Sequence, residues 1–135
     1  LIAIGILVLF VVVGAVGSRH NRFNTADRGF RNVTGADLPA NVTAMAHASR
    51  VDDNFFHEAH YWLVQGPIES LRELAPAPGY ERSDADAAEI LRYARRAIPS
   101  GEDAPLLEGY EGSVDSGRDH WLLILPPGDR AIFVY

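Results

Sequence analysis

Apolar residues are unevenly spread along this chain. From Leu1 to Gly17 there is no charge and almost nothing polar, and the stretch is apolar on every helical face, unlike an amphipathic surface helix. As a helix it would extend about 25 Å, slightly short of the ~30 Å hydrocarbon core, and a few residues ahead of Leu1 would complete the span. The pattern predicts a retained transmembrane helix over 1–17. A cleavable signal sequence is the alternative, with Ala15-Val16-Gly17 as a small-x-small site, but its apolar region would be shorter. Gly5 and Gly14, with Ala3 and Ala15, would let a neighbouring helix approach closely, although small residues are also simply common in membrane helices.

Residues 18–50 have no sustained period of 3.6 or 2 and are punctuated by Asn, Thr, Gly, Asp and Pro, the pattern of a juxtamembrane arm or linker. Phe23 and Phe30 stand out there as residues for the membrane interface or for a partner. Arg19, Arg22, Arg28 and Arg31 come after the apolar stretch, opposed only by Asp27. This flank favours the cytoplasmic over the periplasmic side of an inner membrane for the remainder of the chain.

From residue 51 to 135 the pattern is that of a small α+β soluble domain. Tyr61-Trp62-Leu63-Val64 suits a strand ending at Gly66-Pro67, and Pro67 opens a short helix whose apolar positions are Ile68, Leu71 and Leu74. Ser83, with Asp86 three residues on, starts the clearest helix. Its stripe runs through Ala87, Ile90, Leu91, Ala94, Ala97 and Ile98, with acids at its start and arginines at its end. Residues 100–117 read as an acidic, Gly-rich loop. Two apolar runs, 120–125 and 131–135, flank Pro126-Pro127-Gly128-Asp129 as a β-hairpin. The expected architecture is one N-terminal transmembrane helix followed by a β-α-α-β-β domain, an antiparallel sheet with helices over one face.

Composition narrows the function classes. The net charge of −6 argues against a nucleic-acid partner, which needs a basic footprint. All twelve basic residues are arginine, which reads as the codon bias of a GC-rich bacterial genome. There is no cysteine, so neither disulfides nor thiolate metal ligation is available.

Motifs for chemistry are sparse. His57-Glu58-Ala59-His60 misses the His-Glu-x-x-His zinc pattern by one position, and on a strand its two imidazoles point to opposite faces. His47 or His120 would join such a site only through folding. Ser113, Asp115, Ser116, Asp119 and His120 lack the nucleophile elbow of a hydrolase and read as loop residues. Asp52 and Asp53 suggest a turn rather than a calcium loop. Most aromatics fall on predicted strands, where the core claims them; Tyr110, in a predicted loop, is the better interface candidate.

The resulting expectation is a non-enzymatic accessory subunit without cofactor or metal. It would dock onto other subunits of a larger membrane complex, of the respiratory or photosynthetic kind, and contact the lipid bilayer. The alternative is a membrane-tethered sensor with a ligand pocket between sheet and helices; an enzyme ranks third.

Overall fold

A computed structural model describes residues 26–51, 58–100, 105–113 and 119–135. In chain order the elements are helix α1 (26–34), strands β1 (Thr43–Val51) and β2 (Glu58–Gln65), and helix α2 (Ile68–Arg72). Next come strand β3 (Tyr80–Arg82), helix α3 (Asp84–Ala97), and strands β4 (Glu108–Ser113), β5 (Asp119–Leu125) and β6 (Arg130–Val134). The strands form one six-stranded antiparallel sheet in the order β1-β2-β6-β5-β4-β3.

This corrects the expected β-α-α-β-β order and its one-sided helices. Three strands and a helix were hidden in segments that read as linker or loop, and helices cover both faces of the sheet. No helix among the described residues is long and apolar enough to cross a membrane. The stretch 1–17, with Gly5 and Gly14, and Phe23 lie outside the described residues.

Two cores sit on the two faces. Period-2 alternation sends Trp62 and Val64 of β2, Leu122 and Ile124 of β5, and Ala131 and Phe133 of β6 to one face, under α1 and α2. Leu63, Trp121, Leu123, Leu125, Ile132 and Val134 go to the other, under Ala87, Leu91 and Ala94 of α3 and Ile98 just after it. A strand buried on both faces has no need of polar positions, which is why β5 from Trp121 and β6 from Ala131 run on continuously apolar.

Helix α1 docks through Phe30, whose ring meets Trp62 edge-on at 5.2 Å and Phe133 at 5.3 Å between centroids. It stops at Gly35, whose positive φ of 73° closes the last turn while its N–H donates to the Arg31 carbonyl. Edge strand β1 carries a bulge: Ala44 pairs with Val64 and Ala46 with Leu63, leaving Met45 extra. The extra residue reverses the alternation, so Ala44 meets the α1 face while Ala46 and Ala48 meet the α3 core.

Helix α3 begins after Ser83 as expected, but the Ser83 hydroxyl donates to the Asp86 carboxylate at 3.2 Å instead of capping a backbone N–H. Asp84 fastens the helix to the sheet, accepting from the Gly109 N–H at 2.9 Å. At the other end the Arg50 guanidinium donates to the Arg96 carbonyl, placing a cation on the negative end of the helix. On the opposite face Arg72 of α2 grips the buried Glu108 through two nitrogens, and the Tyr110 hydroxyl donates to the same carboxylate at 2.8 Å.

Candidate functional site

The antiparallel register lines up one row of polar aromatics on the α1 face. His60 of β2 exchanges both backbone bonds with Tyr135, at 3.0 Å each. Trp121 pairs with Val134, so His120 stands opposite Tyr135, and their rings stack at 4.0 Å. The row continues through Gly112 of β4 to Tyr80 of β3. Gly112 is required by this packing: a Cβ there would lie 2.5 Å from the Tyr80 ring. Tyr80 therefore lies flat over the β4 backbone.

Above this row a cleft of about 510 Å³ opens between the sheet and its covering segments. Its floor is Phe30, Phe133 and His120, and its sides are Tyr80 and Tyr135. Thr34, Ala36, Asp37 and Pro39 form one wall, after and within α1; Glu73, Leu74 and Pro76 form the other, after α2. The volume lies within the range of small-molecule sites, which are mostly apolar with a few convergent polar groups.

Polar groups around the cleft differ in availability. The Thr34 hydroxyl is spent on the Phe30 carbonyl at 2.7 Å, and the Asp37 carboxylate accepts from Arg31 at 2.6 Å. Glu73 is exposed and makes no ion pair among the described residues. Burial, reinforced by the neighbouring Tyr135, pushes the Tyr80 phenol above its ordinary value, so it stays protonated at neutral pH.

A second cluster sits at the β1–β2 corner of the same face. His47 Nε2 and His60 Nδ1 are joined by a hydrogen bond of 3.0 Å, their rings only 6° from coplanar. Both imidazoles lie over the face of Trp62, and Glu58 stands 3.6 Å from His60 Nε2. Burial, followed by the neighbouring His60, pulls the His47 pKa down, with Glu58 partly opposing. Folding thus joins His47 to His60, but no group of three or more metal-ligating side chains occurs among the described residues.

The residues singled out in the sequence fall in different places. Phe30 is buried in the core and contributes to the cleft floor. Tyr110 lies on β4 with its hydroxyl on Glu108 and the Arg82 guanidinium 5.5 Å over its ring. His57, Asp52, Asp53, Asp115 and Ser116, like Gly5, Gly14 and Phe23, lie outside the described residues. Tyr80, Glu73 and Tyr135 carry no motif and were missed as site residues. One signal was available for the His120–Tyr135 pair: counting outward from a turn at 126–129 sets those two positions opposite each other.

Comparison with protein-family models, with curated proteins and with solved structures finds no match to this chain.

Proposed function

We propose that this chain is a non-catalytic binding domain that holds a small molecule in the cleft between the sheet, α1 and the segment after α2. The observation that supports the reading is the cleft itself: about 510 Å³, floored by aromatic rings, with the Glu73 carboxylate at its rim making no ion pair among the described residues. The floor is already buried, so a bound apolar body would gain by covering the half-buried Leu74, Tyr80 and Tyr135 at about 25 cal/mol per Å². A fragment screen by ligand-detected NMR on the full chain tests the reading. Aromatic fragments should bind the parent, and Ala36→Trp, which places an indole at the exposed mouth, should abolish their binding. Fragments that bind both proteins equally, or neither, would contradict it.

A second reading, an accessory subunit of a larger assembly, draws on one observation. Edge strand β1 spans nine residues and exposes Met45 (53%) and Val51 (62%). Open strand edges with apolar side chains are docking surfaces for other chains. Gentle extraction followed by native-gel mass spectrometry should then show this chain with a defined set of partners. Met45→Arg with Val51→Arg should release it, and migration alone would remove the reading.

A further inference from the structure

We propose that the cleft selects organic cations: molecules carrying an ammonium group on an apolar or aromatic body. The inference rests on the binding-domain reading and specifies its ligand class. Three features of the lining carry it.

The first is the supply of ring faces. The half-buried Tyr80 and Tyr135 line one volume with the buried Phe30 and Phe133, and phenol faces attract cations through the ring quadrupole, more strongly as water is excluded.

The second is the charge balance of the lining. Asp37 and Glu73 line the cleft, and among the described residues no lysine or arginine does. Asp37 is already held by Arg31. Glu73 makes no ion pair among the described residues, and the adjacent Arg72 is committed to Glu69 at 2.9 Å and to Glu108. The carboxylate at the rim is therefore available as a counter-charge for a ligand.

The third is exclusion. Among the described lining residues an anion would meet the Glu73 carboxylate, Asp37 already paired with Arg31, the buried His120 ring and no lysine or arginine, within a chain of net charge −6. A neutral aromatic would use the rings but gain nothing from Glu73. Only a cation uses both, with its apolar body against Leu74 and its charge between the tyrosine faces and Glu73.

Calorimetric titration of the full chain with benzyltrimethylammonium, benzyl alcohol and phenylacetate tests this. The cation should bind about tenfold more tightly than the alcohol, the size of a partly desolvated cation–π and ion-pair contribution, and phenylacetate should not bind. Glu73→Gln, an exposed substitution, should weaken the cation severalfold while leaving the alcohol unchanged. Added salt should weaken only the cation. Equal affinity for cation and alcohol, preference for phenylacetate, or cation binding that survives Ala36→Trp would overturn the inference. Fragment binding that Ala36→Trp abolishes would, in those cases, leave the binding-domain reading standing. If none of the three probes binds, the cation inference falls, and the binding-domain reading falls with it only when the wider fragment screen is also silent.

Discussion

Gly109→Ala probes the closest approach in the fold. Gly109 lies on β4 directly beneath α3, and a Cβ built there would sit 2.1 Å from the Ala87 Cβ, 3.1 Å from Leu106 Cδ2 and 3.3 Å from the Ser83 carbonyl. Carbon atoms in ordinary contact are about 3.5–4.0 Å apart, so roughly 1.5 Å must be found between strand and helix. A flexible side-chain tip would yield, but Ala87 Cβ moves only with the helix. The helix in turn is tied to this strand by the Asp84 carboxylate on the Gly109 N–H, and to β1 by Arg50. Overpacking of this kind costs about 1–3 kcal/mol, and the rigid neighbour places the cost near the top. Removing a glycine from a strand interior returns about 0.5–1 kcal/mol, leaving a net loss of about 2 kcal/mol.

The partner substitution gives the test its specificity. Ala87→Gly alone should cost about 1 kcal/mol in helix propensity and about 0.8 kcal/mol in lost burial. Because it also removes the clashing Cβ, the double variant should lie within about 1 kcal/mol of Ala87→Gly alone rather than at the additive sum near 4 kcal/mol, a coupling of roughly 2 kcal/mol. Urea denaturation at constant m gives all four stabilities. A Gly109→Ala cost under about 0.5 kcal/mol, or an additive double variant, would refute the packing of α3 on β4.

Three further outcomes are expected from the same structure. Phe30→Ala removes a buried ring that bridges Trp62 and Phe133 and should cost about 3–5 kcal/mol by denaturant titration; a loss below about 1 kcal/mol would mean that α1 is not part of the fold. His47 is held below its ordinary value of 6.5, chiefly by burial, so the folded state prefers the neutral ring and stability should fall as pH drops below that value. His47→Gln should flatten this limb of a melting-temperature profile, and an unchanged profile would contradict the environment assigned to the ring. Glu108 is held below its usual 4.5, first by the Arg72 hydrogen bonds and helped by Tyr110 against the opposing effect of burial. Its contribution is therefore present above that pH and lost as pH falls through the lower folded value. Glu108→Gln should melt below the parent at neutral pH and converge with it in acid; a constant gap would argue against the ion pair as the cause.

How much of this fold was legible in the sequence depends on side-chain size and on how many faces of each element are buried. Helix α3 announced itself because one face carries Ala87, Leu91 and Ala94, with Ile98 just after it, while the others carry charge. The β5–β6 hairpin was equally plain, with continuous apolar runs about a proline turn. Those same runs also signalled that both faces of the sheet are covered, which the expectation of one-sided helices overlooked. Helix α1 was hidden because a single phenylalanine does most of its docking. Strand β1 was hidden because its inward residues are Ala44, Ala46 and Ala48, and its bulge at Met45 breaks the alternation. Strand β4 was hidden because Gly109 and Gly112, read as loop residues, are small to admit Ala87 and the Tyr80 ring. The cleft inherits this obscurity: its walls come from α1, the segment after α2 and the edge strand β3, none of which carries a periodic pattern. Its residues have no spacing in common because the register of the sheet and the docking of the segments over it assemble them.

Amide NMR of the labelled full chain, during titration with a bound fragment, decides where on this fold a ligand sits. Shift changes should concentrate at Gly35 to Asp37, Tyr80, Gly112, His120 and Tyr135, around the cleft, and vanish in Ala36→Trp. Changes confined to β1, centred on Met45 and Val51, would contradict a ligand in the cleft and move the binding surface to the open edge of the sheet.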